Sequence, residues 1–190
     1  KELMFEAAHE AFERWGIGDI TRIDVPGRAS GEETDDSGIR SAVSAAIPAL
    51  QSGSLFGGAT GVLIVDADQL QKAEADVLAE VIPAIGDDGS IGVVLLAAGV
   101  LPSSIDRALK QRAGQVAVRA LTERTAVTWL GAAARKRGVR LGEGASAALI
   151  RRFGSDVASL ARALDQLAID GGTVTAATVT ERFRNRPDDP

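Results

Sequence analysis

The segment Val62-Leu63-Ile64-Val65-Asp66-Ala67-Asp68 decides how the 190-residue chain folds. Its four consecutive apolar residues do not alternate with polar ones, which is typical of a strand buried on both faces of a parallel sheet. A second run of this kind covers residues 91–97, and residues 19–25 form a β-branched segment that ends before Pro26. The three segments predict the strands of one parallel sheet.

Helical patterns separate these strands. Apolar residues recur at helical spacing over residues 4–15, 39–50 and 70–85, and such spacing indicates amphipathic helices. The alternating segment Gln115–Arg119 predicts one more strand. Strands that alternate with helices predict a parallel sheet covered by helices, and we assign this α/β domain to residues 1–120.

From Leu121 onward the pattern is helical only. Thr122 or Thr125 is a suitable N-cap for a first helix that ends at Gly138, and Thr175 is a suitable N-cap for the last helix. Residues 121–190 are therefore predicted to form a small all-helical domain.

The net charge of −5 hides a strong separation of charge along the chain. Residues 1–106 contain 6 basic and 18 acidic side chains, whereas residues 107–152 contain 11 basic and 2 acidic ones. A basic block therefore lies within an acidic protein.

Composition excludes several classes of function. The chain has no cysteine and a single histidine, His9, which excludes disulfide scaffolds, thiol nucleophiles and metal sites that need two histidines. It has no apolar run long enough to span a membrane and no signal-peptide pattern, so the expected location is the cytoplasm. We expect no catalytic residue, no metal and no cofactor.

Asp66 and Asp68 follow an apolar strand, as the magnesium-binding carboxylate of a nucleotide-binding Walker B segment does. The glycine-rich P-loop with its Lys and Ser or Thr, which would hold the phosphates, does not occur in these 190 residues. We therefore interpret both aspartates as residues that cap a loop at the strand end, and nucleotide hydrolysis is not expected.

Leu55 and Phe56 are two bulky apolar residues bracketed by glycines. They are either part of the core or an exposed hydrophobic knob that inserts into the pocket of a partner. Gly57, Gly58 and Gly61 lead into a strand and not into a helix, so no helix dipole is available for a phosphate, and we interpret them as turn residues.

The basic block concentrates Arg107, Lys110 and Arg112 on one predicted helix, and a further group lies within residues 135–140. These side chains are either a solvated face or a contact surface for DNA or an acidic neighbouring subunit. The aromatic residues of a single-strand stacking surface are missing.

The sequence resembles the delta subunit family of the bacterial DNA polymerase III clamp loader. The resemblance rests on an ordered series of segments: SLFGG before VLIVD, then VVLLAAG, TAVTWLGAAARKRGVRL and FGSDVASLARALDQLAI. The resemblance extends over nearly the whole chain. It implies an AAA+-like α/β domain without a P-loop, followed by a helical lid; a third, collar domain of the family has no counterpart in these residues.

The resemblance also implies a function. Members of this family are non-catalytic subunits of the DNA polymerase III holoenzyme: they open the ring-shaped sliding clamp, the beta subunit, without hydrolysing ATP. A Leu-Phe pair that enters a pocket of the clamp corresponds to Leu55 and Phe56. The implied partners are the clamp, the gamma/tau and delta prime subunits, and DNA through the assembled loader.

Two other classes of function stay open at this point. One is an active AAA+ ATPase whose P-loop lies upstream of Lys1. The other is a passive scaffold subunit of another replication or repair assembly.

Overall fold

The computed structural model describes residues 1–28, 31, 34–51, 58–86, 88–110 and 112–184. The chain divides into two compact units, Leu3–Val118 and the residues from Arg119 onward. Each unit has a hydrophobic core of its own. Within the described ranges, no helix is long and apolar enough to cross a membrane.

The first unit is an α/β sheet unit. In chain order its elements are α1 (Glu2–Arg14), β1 (Asp19–Asp24), α2 (Ser41–Ser44), α3 (Ala46–Gln51), β2 (Thr60–Val65), a 3₁₀ turn (Ala67–Gln69), α4 (Lys72–Ala84), β3 (Ile91–Leu95) and α5 (Ser103–Leu109).

The three strands form a parallel sheet in the order β1-β2-β3. Successive side chains of β2 enter different cores: Val62 and Ile64 lie in the larger cluster with residues of α2 to α5, whereas Leu63 and Val65 lie in the cluster formed with α1. Burial on both faces explains the unbroken apolar run in the sequence. The predicted parallel sheet is confirmed.

Gly61 lies within β2, directly opposite Gly92 of β3, so its interpretation as a turn residue is wrong. A Cβ atom at Gly61 would lie 2.8 Å from the Phe12 ring, and one at Gly92 would lie 2.5 Å from Cδ1 of Ile17. Trp15 also lies close to Gly92. The glycine pair therefore lets the C-terminal end of α1 approach the sheet more closely than any other residue pair would allow.

The two outer strands of this sheet differ in chemistry. On β1 the side chains of Asp19, Arg22 and Asp24 are exposed, and charges of this kind discourage pairing with a further strand. β3 consists only of apolar residues and glycine.

Gln115–Arg119 is not a strand, so that prediction is wrong. The segment pairs with neither β1 nor β3, and Val116 is 73% exposed. An alternating pattern becomes a strand only where a neighbouring strand supplies hydrogen-bond partners.

A buried ion pair joins two helices of this unit. Arg40 is the residue that precedes α2, and Glu74 lies in the first turn of α4. Arg40 Nε donates to Glu74 Oε1 and Nη2 donates to Oε2, each at 2.7 Å. Both side chains are fully buried, so this is a two-point charged contact inside the protein.

The remaining donors of Arg40 fix the loops at the carboxyl edge of the sheet. Nη1 donates to the carbonyl oxygens of Pro26 and Gly27, at 2.6 and 3.2 Å, and Nη2 donates to that of Gln69 at 3.2 Å. The N–H of Gln71 donates to Glu74 Oε2 at 2.8 Å. One charged pair therefore connects the segments that follow β1 and β2 with the first turns of α2 and α4.

The second unit consists of helices with one very short strand pair. In chain order its elements are α6 (Glu123–Lys136), β4 (Arg140–Leu141), α7 (Ala145–Phe153), α8 (Val157–Asp170), β5 (Thr173–Val174) and α9 (Ala176–Arg182). The two-residue strands β4 and β5 pair in parallel.

Capping residues set the ends of these helices. Thr122 and Thr175 accept hydrogen bonds from the N–H groups of Thr125 and Thr178, as N-caps do. Gly138 ends α6 with a φ of 69°, a left-handed conformation that glycine adopts without a steric cost. The helices meet around a leucine-rich core made of Leu130, Leu149, Leu160, Leu164 and Leu167.

We predict that Glu74→Leu will lower the free energy of unfolding by about 3–5 kcal/mol, because it leaves the buried Arg40 without its counter-charge. The matched control is Lys72→Ala, which removes the i,i+4 pair with Asp76 by truncating a side chain that is 91% exposed and should cost under about 0.5 kcal/mol. Urea unfolding followed by circular dichroism measures both. Equal losses in the two variants would contradict the assignment of a stabilising role to the buried pair.

We predict that the advantage of the wild type over Glu74→Gln depends on pH. Burial raises the pKa of Glu74, but hydrogen bonds from Arg40 and Gln71 lower it more, so that the net pKa is below its usual range. The charged form therefore stabilises the fold above the unfolded-state pKa of about 4.3. The difference in unfolding free energy between the two proteins should shrink as pH falls below that value. A difference that stays constant from neutral to acid pH would contradict this.

Candidate functional site

The carboxyl edge of the sheet carries the two aspartates that the sequence singles out. Asp66 follows β2 directly and has φ 57° and ψ 42°, a left-handed conformation that Asp tolerates better than most residues. Its Oδ2 accepts a hydrogen bond from Nζ of Lys1 at 2.5 Å. This carboxylate is therefore paired with a cation of the same unit.

Asp68 is held by the backbone that follows β3. Its Oδ1 accepts the N–H of Ala98 at 3.0 Å, and its Oδ2 accepts Nε2 of Gln69 at 2.7 Å. A Cβ atom at Gly99 would lie 3.0 Å from Oδ2, so glycine at this position permits the close approach. Burial raises the pKa of Asp68, but the hydrogen bonds from Gln69, Ala98 and Gly99 lower it to a net value below its usual range.

Further charged contacts surround these aspartates. Arg28 Nη2 donates to the backbone carbonyl of Asp68 at 2.8 Å. At the end of β1, Arg22 binds the Asp24 carboxylate through Nε and Nη2, at 2.8 and 2.6 Å, and its guanidinium lies 4.7 Å from the centre of the Phe5 ring. The hydrogen bonds from Arg22 lower the pKa of Asp24.

This edge therefore uses its charges to fix its own loops. One oxygen of Asp66 and both oxygens of Asp68 accept hydrogen bonds from protein donors. In the described part of the chain, no group of three or more His, Asp or Glu residues is arranged to hold a metal ion. Asp68 accepts a backbone N–H of the loop after β3, which agrees with its interpretation as a loop-capping residue. That interpretation is wrong for Asp66, whose side chain makes no capping hydrogen bond and binds Lys1 instead.

Leu55 and Phe56 lie outside the described residues. Of their surroundings, the structure places the end of α3 at Gln51 and the start of β2 at Thr60. Thr60 lies at the amino edge of the sheet, whereas Asp66 and Asp68 follow the carboxyl edge.

The three basic residues predicted on one helix do not share it, because α5 ends at Leu109 and Lys110 and Arg112 follow that end. Lys110 forms an exposed ion pair with Asp106 at 3.1 Å. Arg112 donates to the carbonyl oxygens of Pro83 and Ile85, and these groups lie at the C-terminal end of α4, where a cation is favoured by the helix dipole. Arg107 is exposed and has no ion-pair partner among the described residues.

Sequence reasoning missed three residues of the carboxyl edge. Lys1 and Arg28 are distant from the aspartates along the chain, so spacing gave no indication of these contacts. Gly99 carried a usable signal, since a glycine shortly after an apolar strand often marks a close approach of two chain segments.

Comparison with known proteins gives a match among solved structures but none at the level of sequence. No family profile and no curated protein matches the sequence. Among solved structures, the DNA clamp loader delta protein YqeN of Bacillus subtilis aligns with 98% of this chain at 16% identity and a TM-score of 0.57. A RuvB mutant of Thermotoga maritima aligns with 96% at 14% identity and a TM-score of 0.49.

The likeness to the delta protein shows a shared fold. The chain is α/β, with a parallel sheet unit followed by a helical unit, and it shares its fold with that solved protein. The alignment spans 56% of the length of that protein.

We predict that Asp68→Ala will destabilise the sheet unit by about 1–2 kcal/mol, because the N–H of Ala98 loses its acceptor. Asp68→Asn keeps a carbonyl oxygen for this N–H and should recover part of the loss. Thermal unfolding of both variants measures the difference. Equal losses for Asn and Ala would show that the charge of Asp68, and not its hydrogen bond with Ala98, stabilises this edge.

Proposed function

We propose that this chain belongs to a clamp-loader subunit that binds the bacterial sliding clamp and helps to open it in the cytoplasm. The observation that carries the proposal is the likeness in fold to a clamp loader delta protein over 98% of the chain. The order of motifs adds independent support, because Ser54-Leu55-Phe56-Gly57 stands shortly before the apolar strand that Asp66 follows.

In this proposal Leu55 and Phe56 enter an apolar pocket of the clamp. Two adjacent bulky side chains supply a large apolar area within a small contact, and residues of this type are frequent hot spots of binding energy. The neighbouring glycines leave room for the surface of the partner to approach closely.

Ring opening would follow from differential binding. A subunit that binds the opened clamp more tightly than the closed clamp shifts the ring toward its open form, by no more than the difference between the two affinities. No step of this mechanism needs a nucleotide in this chain. The protein donors that occupy Asp66 and Asp68 support a subunit without hydrolytic chemistry of its own.

We predict that Leu55→Ala and Phe56→Ala will each weaken clamp binding by about 2 kcal/mol, or roughly thirtyfold. Surface plasmon resonance with the clamp of the same organism measures the affinity. The matched control is Val127→Ala with Ile169→Ala, which removes two apolar side chains that are 48% and 81% exposed on the helical unit and should leave the affinity unchanged.

Two results would contradict the proposal at different levels. An unchanged affinity of the Leu55→Ala, Phe56→Ala double variant would show that the clamp is bound through another surface. A wild-type chain that does not bind the clamp at all would reject the clamp-loader function itself.

A further inference from the structure

The two units carry opposite net charge. Residues 1–118 contain nine basic and eighteen acidic side chains, whereas residues 119–184 contain eleven basic and six acidic ones. Within the second unit, the densest basic group lies at residues 135–140, where α6 ends and β4 begins. We refer to these six residues as the α6–β4 corner.

The backbone of this corner is well fixed. The N–H of Gly138 donates to the carbonyl of Arg135 at 3.1 Å, and the N–H of Val139 donates to that of Ala134 at 2.9 Å. Gly138 reverses the chain with a positive φ, and Val139 is buried in the helical core. Arg135 and Arg140 are therefore exposed side chains on either side of a rigid, buried anchor.

The arginines of the corner differ in how far their charge is neutralised. Arg137 donates to Asp165 Oδ1 at 2.7 Å and to the carbonyl of Ala133 at 3.3 Å. Among the described residues, Arg135 and Arg140 have no carboxylate partner. The carbonyls at the end of α6 attract cations, but they contribute only about half an elementary charge. The corner therefore presents two guanidinium groups that are available to an anion.

The chemistry of the corner favours a polyanion over an acidic protein surface. A protein interface usually needs an apolar centre, and the apolar residue of the corner, Val139, is only 6% exposed. Binding to a nucleic-acid backbone needs charge alone. Arg140 lies five positions after Arg135, so their Cα atoms are at most about 17 Å apart. Both side chains can therefore contact phosphates of one duplex, whose charges lie about 1.7 Å apart along the axis.

We propose that the α6–β4 corner binds the phosphate backbone of double-stranded DNA through Arg135 and Arg140, without reading its sequence. Guanidinium groups suit this role because each can bind a phosphate through two N–H groups. No exposed aromatic side chain lies within residues 135–140, which favours a duplex over unstacked single strands. The proposal does not depend on clamp binding.

The test is fluorescence anisotropy of a labelled duplex of random sequence titrated with the chain at several salt concentrations. Arg135→Gln with Arg140→Gln should weaken binding roughly tenfold at low salt and reduce the slope of log affinity against log salt by about two. Arg135→Lys with Arg140→Lys keeps both charges and should keep the slope. The matched control is Arg124→Gln with Arg162→Gln, which removes two exposed cations elsewhere in the unit.

Each alternative outcome overturns the proposal. Equal losses in the corner variant and in the control would show that net charge, and not the corner, binds DNA. A wild-type chain that binds polyglutamate as tightly as duplex DNA would show that the surface is made for an acidic protein. A slope that is unchanged by removal of both arginines would show that they contact no phosphate. Clamp binding, measured separately, should be the same in all these variants.

Discussion

The first unit depends on the fully buried ion pair between Arg40 and Glu74. Removing both charges from water costs several kcal/mol per ion, and such a pair is tolerated only where the remaining donors and acceptors are also satisfied. The guanidinium meets this condition by binding Glu74 and the carbonyls that follow β1 and β2. Because these contacts come from segments far apart in the chain, the pair sets the positions of two strand ends and two helix starts together.

The same edge of the sheet is where open α/β folds usually bind their ligands. In this protein the polar groups there bind one another: Asp68 binds the backbone after β3, and Asp66 binds Lys1. The edge thus serves as a support.

Sequence patterns correctly predicted the elements that depend on residues close together in the chain. The apolar run at residues 62–65 became the central strand, and Gly138 ended its helix, because burial on two faces and a left-handed C-terminal residue each leave a signature in the sequence. Predictions failed where the structure of a segment depends on contacts with residues far away in the chain. The segment 115–119 has the right alternation but no neighbouring strand, and Gly61 looked like a turn residue because the ring above it, from Phe12, lies 49 positions earlier in the chain.

At the candidate site, the positions of residues relative to the strands were predictable, but the contacts of their side chains were not. The capping role of Asp68 was predictable from its position after the strand, but Asp66 binds Lys1 and makes no capping hydrogen bond. The donors that bind the two aspartates could not be predicted. The different surroundings of Lys110 and Arg112 could not be read from the sequence either, since they depend on Asp106 one turn away and on the end of α4. The role of Leu55 and Phe56 stays a prediction.

The contact between Gly61 and Phe12 has a consequence for how this sequence can change over time. A methyl group at position 61 has no space while a phenyl ring occupies position 12, and a smaller residue at position 12 alone would leave a cavity. Changes that are harmful one at a time can compensate each other when made together. The two positions are therefore expected to covary among related sequences, although neither takes part in any binding surface discussed above.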